Sequence, residues 1–115
     1  MRTLKNCIKL SSVVKIYIPS TINVSQEIDN IGWVQRALCL LSTEFGGATS
    51  SDALGAWVDN RGQIVKEKVT IVLSFCHKNS LEQSIDKIYD FCLEMKEALS
   101  QEAVSLEVNG ELYLV

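Results

Sequence analysis

The sequence predicts an α+β domain in which two helices lie over one face of an antiparallel sheet. Three observations carry that reading. Two long stretches place apolar residues at intervals of three and four, the spacing of one helix face. Other stretches alternate by two, as a strand does when its side chains point to opposite faces. The two patterns interleave along the chain as strand, helix, strand, strand, helix, strand.

The first predicted strand is Val13 to Ile18, stopped by Pro19, which has no N–H to give to a ladder. Val14, Ile16 and Ile18 share one face, and Val13, Lys15 and Tyr17 the other. Residues 1–12 before it are either a disordered lead or an added edge strand. A polar loop follows from Ser20 to Asp29. Ile31 to Phe45 is predicted helical, with Asp29 or Asn30 as its cap and Val34, Ala37, Leu38, Leu41 and Phe45 as its buried stripe. Gly46-Gly47 ends it, because glycine enters the left-handed conformation without a Cβ clash.

Residues 48–54 read as a loop, Gly55 to Val58 as a short strand and Asp59 to Gly62 as a turn. Gln63 to Cys76 is a long strand. One face holds Val69, Ile71, Leu73 and Phe75, and the other holds Thr70, Val72, Ser74 and Cys76. The bulkier row is assigned to the core. The second helix, Leu81 to Ser100, carries Leu81, Ile85, Ile88, Cys92, Met95 and Leu99 on one face, with Ser80 and Gln83 at capping-box spacing. Residues 104–115 close the domain. Asn109-Gly110 is either a hairpin turn or a bulge, and the shared parity of Val104, Leu106, Val108, Leu112 and Leu114 favours the bulge.

That order is the split β-α-β arrangement of a two-layer ferredoxin-like sandwich, with residues 13–115 as its single domain. At 115 residues and 47% hydrophobic composition, the chain can build a core without a metal or disulfide staple. Each helix has one apolar stripe, so both cover the same sheet face. The opposite face is then expected to present Lys15, Tyr17, Thr70, Val72, Ser74, Cys76, Ser105 and Glu107, with Trp57 beside them.

The stretch from Trp33 to Val115 resembles an uncharacterised family of short bacterial proteins, a domain of unknown function. The residues that carry the resemblance are Trp33, Phe45-Gly46-Gly47, Gly55-x-Trp57, Gly62-x-Ile64 and Glu67. The apolar strand 69–73, Ile85, Ile88 and Gln101-Glu102-x-Val104 complete it. It implies the ferredoxin-like fold and brings no activity with it.

Several functions are disfavoured by the residues themselves. A formal charge of −3 without a basic stripe speaks against nucleic acid. Cys7, Cys39, Cys76 and Cys92 form no C-x-x-C pair, and His77 is the only histidine, so no zinc motif is present and no cofactor is called for. The cysteines read as reduced thiols of a cytoplasmic protein, with Cys39, Cys76 and Cys92 in the core. No apolar stretch is long enough to span a membrane. Gly46-Gly47-Ala48-Thr49 follows a helix C-terminus, the wrong end of the dipole for a phosphate.

No catalytic set is evident. The first functional reading is therefore a non-enzymatic binding domain that self-associates, as a homodimer, through its open sheet face and meets a protein or small molecule there. Lys15, Tyr17, Trp57, Glu67, Thr70, Val72 and Ser74 are its candidate contact residues. Glu67, flanked by Lys66 and Lys68 and near Trp57 and Arg61, reads most simply as a cross-strand charge pair. The alternative is a small enzyme of the dimeric α+β-barrel type with a cavity between sheets.

Overall fold

The computed structural model describes residues 3–115. A short 3₁₀ turn, Thr3–Asn6, precedes β1 (Ser12–Pro19), β2 (Thr21–Ile22), β3 (Gln26–Glu27) and α1 (Ile31–Phe45). The chain continues through β4 (Thr49–Val58), β5 (Ile64–Cys76), α2 (Lys78–Ala98), β6 (Ser105–Val108) and β7 (Glu111–Leu114). The main sheet runs β4-β5-β1-β6-β7, every neighbour antiparallel. Its first four strands, β4-β5-β1-β6, have the ferredoxin-like order, and β7 adds a fifth at one edge. Residues 3–11 lie exposed beside this sheet and add no strand to it.

α1 begins where Asp29 Oδ1 accepts the Ile31 N–H and ends at Gly46, whose φ of 93° is the left-handed cap expected there. α2 differs from its predicted start. It opens three residues earlier, with the extended His77 as the residue before its first turn and no side-chain cap, so Ser80 and Gln83 lie inside the helix. Its apolar stripe is nevertheless the expected one: Leu81, Ile88, Cys92, Met95 and Leu99 are buried against the sheet. Trp33 packs edge-on to Phe91, and the Arg36 guanidinium lies over both rings, which ties the two helices together.

Three sheet features correct the sequence reading. β4 is ten residues long, taking in the segment 49–54 that reads as loop. Ser50, Ser51 and Asp52 have little strand preference of their own, and the ladder to β5 holds them extended. Asn109-Gly110 is a hairpin turn, both residues at positive φ, not a bulge. A two-residue turn sets Val108 against Glu111, so Leu112 and Leu114 land on the face opposite Leu106 despite their common parity.

The third correction concerns β5. Its register sets Ile16 against Val72, Val14 against Ser74 and Ile18 against Thr70. Opposed residues share a face, so Thr70, Val72, Ser74 and Cys76 point toward the helices, with Val72 0% exposed. The bulkier row of Val69, Ile71, Leu73 and Phe75 faces away, and Phe75 is 56% exposed. Small side chains suit the helix side because α1 ends close above it: Ser74 Oγ donates to the Gly47 carbonyl. Alternation identifies the two rows, but a shift of one residue exchanges their sides.

Candidate functional site

β1 pairs with β5 only as far as Pro19 opposite Val69. Beyond that point β4 and β5 continue as a two-stranded ribbon of five further pairs, Leu54 opposite Lys68 to Val58 opposite Ile64. The first strand turns away instead and folds back as the small β2–β3 hairpin. A cleft of about 530 Å³ lies between that hairpin and the ribbon, lined by Thr21, Val24, Glu27, Trp57, Val65 and Glu67 among others.

Glu67 sits opposite Gly55, and Trp57 opposite Val65. All four therefore share one face of the ribbon, with the Glu67 carboxylate and the Trp57 ring on diagonal positions. Gly55 projects no side chain between them, which leaves room beside the carboxylate. Trp57 is 45% exposed and lines the cleft. The flanking lysines cannot pair with Glu67, since successive strand residues point to opposite faces. Among the described residues Glu67 makes no ion pair; the charge-pair reading gives way to a carboxylate held by hydroxyl chemistry.

The holding group is Thr21, itself buried, whose Oγ1 donates to Glu67 Oε1 at 2.8 Å. Gln101, in the loop after α2, donates through Nε2 to the Thr21 carbonyl at 3.0 Å and to its Oγ1 at 3.4 Å. Ser20 Oγ donates to the Lys68 carbonyl. Amide, hydroxyl and carboxylate thus form one line that fixes a single oxygen of Glu67. Sequence reasoning identifies Glu67 and Trp57 but misses Thr21 and Ser20, which lie in a stretch without periodicity. Gln101 appears in it only as part of the resemblance pattern.

The other candidates fall elsewhere. Thr70 lies on the helix side of β5, where it accepts from Asn30 Nδ2 at 3.2 Å and donates to Asp52 Oδ1 at 3.4 Å. Asn30, Asp52 and Thr70 line an adjoining cleft of about 550 Å³, which shares Ser20, Leu54 and Lys68 with the first. Val72 and Ser74 are buried beneath α1, away from the Trp57–Glu67 cleft; Ser74 borders a separate cleft of about 460 Å³ with Gly47, Leu73 and Phe75. Lys15 and Tyr17 do stand on the open face, both bound to Glu107: Tyr17 Oη donates to Oε1 at 2.8 Å and Lys15 Nζ lies 3.5 Å from Oε2. Burial and then the Glu107 carboxylate push the Tyr17 phenol above its ordinary range, so it stays protonated at neutral pH.

Among the described residues no three His, Cys, Asp or Glu side chains gather as a metal site. Cys76 and Cys92 are buried, as expected, whereas Cys39 lies on the outer side of α1 and is exposed. No described helix is long and apolar enough to cross a membrane.

No family model matches the chain, and no curated protein does. Its fold is shared with solved structures. A phage SAM lyase in complex with S-methyl-5′-thioadenosine is 17% identical with a TM-score of 0.68, the match covering 94% of this chain and 91% of that one. A phage SAM lyase in its apo state is 16% identical with a TM-score of 0.61, covering 91% and 88%. At such identities the likeness is one of architecture, and it extends over nearly the whole length of both chains.

Proposed function

We propose that the chain is a small enzyme whose active site is the Trp57–Glu67 cleft, and that its substrate is a nucleoside sulfonium of the S-adenosylmethionine class. The observation that carries the reading is the pairing of a hydroxyl-anchored carboxylate with a half-exposed indole across the vacant position at Gly55. The end-to-end likeness in fold to a lyase solved with a thioadenosine supports the choice of substrate class.

The chemistry asks little of the protein, which suits a site with few reactive groups. Breaking the bond from sulfur to the aminobutyrate chain sends its electron pair to sulfur and leaves a neutral thioether. As that bond breaks, the fragment's own carboxylate oxygen bonds to the carbon that sulfur leaves and closes a lactone, so no proton transfer, water or oxidant is needed. Catalysis then consists of holding the ligand and balancing its changing charge. Glu67 supplies the counter-charge to the sulfonium, and the Trp57 ring packs against the purine or the cation. Thr21 and Gln101 position Glu67 and touch no substrate.

Incubation with S-adenosylmethionine, followed by chromatography for S-methyl-5′-thioadenosine, tests this. Glu67→Gln is expected to lower kcat/KM by about a hundredfold or more, and Trp57→Ala mainly to raise KM. The reading fails if the purified chain neither turns over S-adenosylmethionine nor binds the thioadenosine by calorimetry.

A second reading, a non-enzymatic domain that self-associates through its open face and meets a protein or small molecule there, is favoured by the apolar row Val69, Ile71, Leu73 and Phe75 on that face, of which Phe75 is exposed and the other three half-buried. Lost association in Phe75→Glu, in a chain without turnover, would select it.

A further inference from the structure

Among the described residues other than glycine, Asn23, Val24, Ser100 and Asn109 have a positive φ. Three of these are small and polar. The fourth, Val24 at 65°, is a true outlier, because a β-branched side chain crowds the backbone in that region. Burial does not account for it. Val24 is 39% exposed, in the turn of the β2–β3 hairpin.

The shape of that turn is held from outside. The Asn23 N–H donates to the Leu99 carbonyl at the end of α2, at 2.8 Å, and Gln101 Nε2 donates to the Thr21 carbonyl at 3.0 Å. Within the hairpin Ile22 pairs with Gln26, and the Ser25 N–H donates to the Asn23 carbonyl at 2.8 Å. Glycine or asparagine at position 24 would meet the same backbone demands with less strain. What valine adds is a branched apolar group on the hairpin wall of the cleft, while Trp57 and Val65 line the ribbon wall. Strained backbone of this kind gathers at ligand clamps, where the position of one side chain matters more than its cost.

We propose that Val24 and Trp57 are the two walls of a base slot that takes the purine ring of the nucleoside; the inference rests on the cleft's being the active site. Trp57 could meet either the flat ring or the sulfonium, and an aliphatic opposite wall serves only one of them. An isopropyl group gives a ring dispersion contact and burial on its second face. To a cation it offers desolvation without a counter-charge. The indole and Val24 therefore take the uncharged end of the ligand. Glu67, diagonal from Trp57 across Gly55, is left for the sulfonium. A cleft of about 530 Å³ is within the usual size of a small-molecule site.

The test pairs stability with binding in Val24→Asn, Val24→Gly and Val24→Ile. The ligand is S-methyl-5′-thioadenosine, whose neutral sulfur leaves the purine as the main attraction, titrated by calorimetry into the full chain. Asparagine tolerates the left-handed backbone but removes the apolar wall. Val24→Asn should therefore raise Tm by about 3–6 °C while raising the dissociation constant about fivefold to tenfold. Val24→Gly should weaken binding equally. Val24→Ile, which keeps both wall and strain, should bind as the unaltered chain does. A residue that merely completes the hairpin would not make the protein firmer and its grip on the purine weaker in one step. If the unaltered chain does not bind the thioadenosine, the active-site reading falls and the slot with it. Binding that Val24→Asn and Val24→Gly leave unchanged overturns the slot alone, as does a Tm that fails to rise in Val24→Asn.

Discussion

Cys92, on the sheet-facing side of α2, is fully enclosed, and burial pushes its thiol from 9.0 up to about 12. The consequence is a stability that depends on alkaline pH. Below pH 9 the thiol is neutral in the folded and unfolded chain alike, and its contribution is present in full. As pH rises from there toward about 12, the unfolded thiol ionises while the folded one does not, and that contribution is progressively lost. Urea midpoints measured across this window should fall with pH, and Cys92→Ala should show a shallower decline. Some slope will remain, because Cys76 and Tyr17 are shifted in the same direction, the first by burial and the second by burial and its bond to Glu107. At this scale Cys92 was legible from the α2 stripe; Cys76 was expected inside for its apolar setting, although the strand alternation placed it on the open face. Cys39 was not legible: it sits one residue beyond the Leu38 edge of the α1 stripe, and a helix position turns by about 100° per residue.

Among the elements, α1 shows what local chemistry can settle. Its start at Ile31 and its end at Gly46 follow from an Asp, a stripe of apolar residues and a glycine pair, all of them short-range signals. Gly46→Ala should cost about 1 kcal/mol in denaturant unfolding, because its φ of 93° strains any residue with a Cβ while nothing nearby would meet the new methyl. Gly47→Ala, at an ordinary φ with equally open space, is the control expected to show little change. Strands were harder to read because their decisive signal is non-local. The polar start of β4 becomes a strand only through ten pairs with β5, and the side chosen by Thr70, Val72 and Ser74 depends on which β1 residue each one faces. Nothing within β5 distinguishes Val72 from Ile71. The partner strand does.

For the whole molecule, the long axis of 53 Å against 28 and 21 Å reflects the β4–β5 ribbon running beyond the sheet. A two-stranded ribbon is marginal in water, and its outer part here has only the cleft hairpin beside it. Amides of residues 54–58 and 64–68 should therefore exchange faster than those of residues 70–73, which pair with strands on both sides; equal protection would contradict this. A bound ligand that bridges Trp57 and Glu67 to the β2–β3 hairpin should slow exchange in the ribbon selectively. Much of the site was hidden in the sequence for the same geometric reason: Thr21, Glu67 and Gln101 are far apart along the chain and meet only after the sheet has formed.

Pro19 gives that meeting place its origin. Because it offers no backbone donor, the seam between the first and fifth strands stops there, and two hydroxyls, those of Ser20 and Thr21, fasten what main-chain bonds would otherwise have closed. The hollow where chemistry is proposed is thus an unzipped stretch of sheet, kept ajar by one imino acid.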